Sequence, residues 1–186
     1  MTDLATKIGE LGHPREGFAS TNPNVRIKDH PLTFTMDTNE IPWTPLSEGT
    51  YFKLLSADPV SGRWTTLFRM EPGARFAVHK HYGLVEFFVL KGSFGYEGGV
   101  AHAWGYGIEG APSVHEPISG DDEEMIMLAI SNGPFQGYNE DGTLGEVVDV
   151  SAFVRMAQAN NALQCVEKAA NVHPLGWLDR STSTDG

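Results

Sequence analysis

The chain has 186 residues, 40% hydrophobic and 20% charged, which suits one globular domain with a full core and is too short for two ordinary ones. Its 13 basic and 24 acidic side chains give a net charge of −11, which repels nucleic-acid phosphates and anionic membrane surfaces, so neither is an expected partner. The single cysteine, Cys165, excludes a disulfide framework and a cysteine metal cage, and fits a reducing cytoplasm.

The first 12 residues carry Asp3 and Glu10 and lack an apolar run, so they do not read as a secretory signal. No stretch approaches the roughly 18 apolar residues that would span a bilayer. Residues 1–31 are punctuated by Gly9, Gly12, Pro14, Gly17, Pro23 and Pro31, too densely for long regular elements. They read as an irregular arm over the body of the protein or over a neighbouring subunit.

From Leu32 the pattern turns to β. Short aromatic and β-branched runs alternate with turn signals, which predicts strands over 32–36, 51–56, 63–70, 76–81, 85–90, 94–97, 104–108, 124–130 and 146–150. On the two-residue period Trp64, Thr66 and Phe68 share one face. Turns are expected at 58–62, 71–73, 120–123 and 139–142. Many short strands without intervening helices argue an antiparallel sandwich or barrel over 32–150. Phe153, Met156, Ala157, Leu163 and Val166 then recur at helical spacing, with Ser151 available as a cap. This predicts a helix that covers one end of the barrel, and a disordered polar tail completes residues 151–186.

One stretch carries chemistry: Gly73, His79, His81, Glu86 and Gly92, followed by Gly107, Pro112 and His115. Residues two apart on a strand point the same way, so His79 and His81 can converge on one point inside a barrel. Glu86 has the opposite parity and would face that point only if a turn at Tyr82 and Gly83 reversed it. His115 brings a third imidazole from a later strand. Neutral imidazoles suit iron, zinc, copper and nickel, and three of them leave positions for substrate or O2. A substrate bound as an enolate through two oxygens would offset the dipositive charge.

These two stretches resemble the two motifs of the cupin superfamily. The resemblance implies an all-β double-stranded β-helix, a jelly-roll barrel, with His79, His81 and His115 as metal ligands and Glu86 as a possible fourth. The runs Asp37 to Trp43, Phe52 to Leu55 and Gly62 to Thr65 are similar to 2,4'-dihydroxyacetophenone dioxygenases. Tyr106 to Glu109 leading to His115, and Asn132 to Pro134, resemble the acetylacetone-cleaving dioxygenases. Both groups are non-haem Fe(II) enzymes that use three histidines and cleave a carbon–carbon bond beside a ketone with O2. The resemblance implies that Glu109 orients a ligand histidine through its second ring N–H. Phe87, Glu97 and Trp104 are expected to line the substrate pocket, the two aromatic residues because ligand pockets in small barrels are largely apolar. Phe87 stands where acetylacetone-cleaving members carry tyrosine, and Glu97 near where they carry arginine. Ala111, Pro112 and Ser113 depart from the glycine expected after the proline.

The expectation is therefore an Fe(II)-dependent dioxygenase acting on a β-diketone or α-hydroxyketone. Two alternatives stand beside it. One is a zinc-binding sensor of the kind found in ChrR-type anti-sigma factors. The other is an isomerase or hydrolase using zinc, nickel or manganese. A homo-oligomer is expected, because an irregular arm and open strand edges can cover one another. His102 reads as a solvated loop residue, and His13, His30 and His173 receive no role.

Overall fold

A computed structural model describes residues 35–170. The arm expected at 1–31, the polar tail, and His13, His30 and His173 lie outside these residues. A short 3-10 turn, Thr38–Glu40, opens the described chain, and the side chain of Asp37 accepts from the Asn39 N–H at 2.9 Å.

The strands are β1 (Thr44–Ser47), β2 (Thr50–Asp58), β3 (Arg63–Met70), β4 (His79–His81), β5 (Val85–Lys91), β6 (Ser93–Tyr96) and β7 (Gly99–His102). They continue as β8 (Tyr106–Glu109), β9 (Val114–His115), β10 (Ile118–Ser119), β11 (Met125–Ser131), β12 (Phe135–Tyr138) and β13 (Leu144–Val148). All pairings are antiparallel. They build a six-stranded sheet in the order β1-β2-β3-β11-β5-β8, a three-stranded sheet β10-β6-β7 and a four-stranded sheet β13-β12-β4-β9.

Alternation decides the inner face. In β3, Trp64, Thr66, Phe68 and Met70 are buried while Thr65, Leu67 and Arg69 are half-buried, the face expected from the sequence. In β5, Val85, Phe87 and Val89 are buried. The inner faces meet through rings. Phe87 packs edge-on to Phe94 at 5.0 Å, and Phe68, Phe76 and Phe135 form a chain at 5.4 and 5.6 Å. Gly107 lets β8 approach β5, because a Cβ there would lie 2.3 Å from Phe87 Cζ.

The helical segment is two helices, α1 (Val150–Ala159) and α2 (Gln164–Ala170). Asp149, not Ser151, caps α1 by accepting from the Ala152 N–H at 2.8 Å. The break falls at Asn160 and Asn161, the latter at φ 52°. Phe153 inserts into the open end of the sheets, 4.8 Å from Phe52, 4.5 Å from Trp64 and 6.1 Å from Phe135. Burying such a ring is worth about 1.5–3 kcal/mol.

Several strand boundaries differ from expectation. The run at 76–81 is a strand only over His79–His81, since Phe76 turns its ring into the core before pairing begins. Of the run at 32–36, the described residues 35 and 36 are not strand. Trp104 sits in a turn at φ 70° with its ring outside, so β8 starts only at Tyr106. Val150 opens α1 rather than closing β13.

Candidate metal centre

β4 is three residues long, and its alternation aims both His79 and His81 inward. β9 lies beside it with His115 directly opposite His79. The three Nε2 atoms stand at 3.0 Å (His79 to His81), 3.1 Å (His81 to His115) and 3.1 Å (His79 to His115). All three residues are buried, and together they form a three-histidine metal site.

The protonation pattern suits such a site. His79 Nδ1 is 2.8 Å from the Ala77 carbonyl, which can only accept, so the ring carries its proton on Nδ1 and presents the Nε2 lone pair inward. Burial pushes the His79 pKa down to about 4 and that of His81 to about 3. Burial also lowers His115, with the negative charge of Glu97 opposing. The imidazoles are therefore neutral at physiological pH, the form that ligates a divalent ion. With His81 and His115 in the same tautomer, three such lone pairs so close could not satisfy one another by hydrogen bonds, whereas a single cation would satisfy all three.

Neighbouring rings fix the histidine planes. Tyr96 stacks on His115 at 4.8 Å and 30°, Phe76 lies 4.8 Å from His79, and Phe135 lies 5.3 Å from His79. Tyr96 and Phe135 were missed in the sequence. The two-residue period from Phe94 would have indicated Tyr96, and Phe135 becomes visible only through its register opposite His81.

Glu109 is buried, and its carboxyl is raised to about 7 by that burial. Its Oε2 lies 3.3 Å from His81 Nε2 and 3.8 Å from His115 Nε2. The expectation that it acts through a second ring N–H is not what the geometry gives, because its contacts are with the inward nitrogens. His81 Nδ1 has no hydrogen-bond partner among the described residues. Glu86 stays on the outer face of β5 and accepts from the Tyr106 hydroxyl at 2.7 Å. The turn at Tyr82 and Gly83 keeps the odd-numbered residues inward, so Glu86 does not join the histidines.

A cavity of about 50 Å³ adjoins the centre. Its walls are Phe68, Phe76, Phe135 and Phe153 with Met70, Met125 and Met127, while Trp64 and Thr66 line it from β3. None of the three residues expected in the pocket lines it. Phe87 is core against Phe94, Glu97 is exposed beside the hairpin of β6 and β7, and Trp104 is 80% exposed. His102 is exposed as expected, but it ends strand β7 rather than lying in a loop.

Comparison with known proteins agrees with this architecture. The family model of the ChrR cupin-like domain matches residues 32–136. The acetylacetone-cleaving enzyme of Acinetobacter johnsonii is 32% identical over 114 residues, which cover 57% of this chain and 74% of that protein. An RmlC-like cupin from Ralstonia eutropha JMP134 superposes with a TM-score of 0.64 at 25% identity, covering 72% of this chain and 90% of that one. A structure from Methylibium petroleiphilum PM1, assigned as an acetylacetone dioxygenase, gives a TM-score of 0.59 at 27% identity over 65% of this chain and 91% of that one. The barrel, the three converging histidines and the match over most of the barrel together make this chain a cupin of the ChrR cupin-like domain family.

Proposed function

We propose that the protein is a non-haem Fe(II)-dependent dioxygenase that cleaves a carbon–carbon bond of a β-diketone or α-hydroxyketone bound as its enolate. The observation that carries this reading is a buried set of three neutral imidazoles opening on an apolar cavity, in a chain related to an acetylacetone-cleaving enzyme. His79, His81 and His115 would hold the ion. When bound, Fe(II) would supply Lewis acidity towards the substrate oxygens and an electron source for O2. The chain supplies the rest. Ring packing by Tyr96, Phe76 and Phe135 holds the imidazole planes, and the Phe and Met walls exclude water and receive the apolar body of the substrate. No side chain needs to act as a nucleophile.

The test is O2 consumption after anaerobic Fe(II) loading, with acetylacetone and 2,4'-dihydroxyacetophenone as probes. Uptake that disappears in His115→Ala is expected. Absence of uptake across a panel of such ketones by the iron-loaded wild type would overturn the reading. The family match supports a second one, a zinc-binding sensor. It predicts tightly held zinc, no O2 uptake and capture of a sigma factor. Turnover without O2 would instead indicate an isomerase or hydrolase with zinc, nickel or manganese.

We read the chain as a cytoplasmic homo-oligomer. Its one thiol, Cys165, is free and buried, and edge strand β8 exposes Tyr106 and Ile108 at 59% and 54%. A monomeric mass by light scattering would refute the oligomer.

A further inference from the structure

We propose that Trp64 is a specificity-determining residue: its indole N–H, in the part of the cavity away from the histidines, receives an uncharged oxygen on the part of the substrate that the metal does not hold. The inference rests on the ketone-binding reading above and extends it to a substrate with a third oxygen.

The case begins with an unmatched donor. Trp64 is 6% exposed and lines the cavity, and its Nε1 is buried with no hydrogen-bond partner among the described residues. An indole N–H can only donate, and natural structures leave few buried donors unpaired. Its cross-strand neighbours do not serve it. Ala57 on β2 has no polar side chain, and the Ser131 hydroxyl on β11 is turned to the Gly133 carbonyl, to which it donates at 2.8 Å. Phe153 does not serve it either. The two rings lie 4.5 Å apart at 38°, so an N–H in the indole plane meets the Phe153 face only at a grazing angle.

The lining of the cavity says what would meet this donor. Ring contacts run from His79 to Phe135 at 5.3 Å, on to Phe153 at 6.1 Å and on to Trp64 at 4.5 Å. The indole therefore faces the far part of a ligand whose enolate oxygens lie at the histidines. Apart from the histidines and Glu109, Trp64 and Thr66 are the lining residues with a polar side chain. A lone donor in an apolar wall fixes orientation and selects for an acceptor. No lysine or arginine lines the cavity, so a carboxylate there would be buried without a counter-charge. A carbonyl, hydroxyl or ether oxygen fits.

Two β-diketones of one shape test this. 1-Methoxypentane-2,4-dione has an ether oxygen where heptane-2,4-dione has a methylene. Their dissociation constants, and that of acetylacetone, are measured on zinc-loaded protein, with no turnover required. Trp64→Phe is expected to shift the ratio of the two constants towards heptane-2,4-dione by roughly 2–10-fold, whereas Thr66→Val leaves it unchanged. A second readout uses the wild-type fold. In proton–nitrogen correlation spectra, the indole signal of Trp64 is identified by replacing Trp43, Trp104 and Trp177 one at a time. It should move further with the methoxy compound than with heptane-2,4-dione. An indole signal that moves equally with both, a ratio unchanged in Trp64→Phe, or a ratio that moves only in Thr66→Val overturns the inference. Binding of acetylacetone but of neither longer diketone also overturns it, and leaves the ketone reading intact. Failure of the zinc-loaded wild type to bind any of the three overturns both.

Discussion

Gly107 and Gly83 show how closely the backbone must pack beside the centre. A methyl at Gly107 would enter the Phe87 ring, and one at Gly83 would lie 2.4 Å from the Asn132 carbonyl oxygen. Gly107→Ala is expected to cost about 1–3 kcal/mol through overpacking, and Gly83→Ala at least as much because backbone cannot step aside as a ring can. Denaturant titration of the two variants checks the order. Residue parity was the most legible signal in the sequence. It placed His79 and His81 on one face and left Glu86 facing away unless the chain reversed, and the chain does not reverse. Pocket residues were much less legible. Phe87 and Glu97 were inferred from aligned positions and Trp104 from its aromatic character, but neither a position along the chain nor a residue type says which rotamer or turn a side chain adopts. Trp104 at φ 70° points outward, whereas Met125 and Met127, which carry no motif, line the cavity.

At the level of elements, strands with several alternating residues were readable and very short ones were not. β3 falls where its period put it. β9 and β10 are two residues each, too short to show any period, and β1 contains Pro45, which weakens its strand signal. The third histidine is held by one of these short elements, so its motif could be seen but the strand carrying it could not. The helix cap shifted by two residues because both Asp149 and Ser151 are good caps, and only Asp149 has the extended backbone the role needs. Asp149→Ala is expected to lower stability by about 1 kcal/mol, while Ser151→Ala changes little, as measured by urea midpoints. Phe153→Ala should cost about 3–5 kcal/mol, because α1 would leave a cavity against Phe52 and Trp64.

Across the molecule, the buried histidines make stability depend on pH. In the unfolded chain they take up protons near pH 6.5. In the folded, metal-free chain His79 and His81 do so only near 4 and 3. Between those values the unfolded state binds more protons, so their contribution is complete above about pH 6.5 and is lost as pH falls towards 4. Glu109 runs the other way, its carboxyl raised to about 7 in the fold, so its contribution declines as pH rises through 7. Two histidines outweigh one carboxyl below neutrality. Metal-free protein should therefore melt at a lower temperature at about pH 5 than at about pH 7. A flat profile would show that the imidazoles are not buried in solution.

The pairing of His79 with His115 has a mechanical side. The short β4 and β9 bring together residues 36 apart in the chain, joined in between by β5 to β8. An ion gripping both would act as a clasp, closing a long loop much as a cross-link does and favouring the folded over the unfolded chain. Chelation should then loosen the whole stretch from Tyr82 to Val114, with hydrogen exchange rising along it while strand β2, paired on both sides by β1 and β3, keeps its protection.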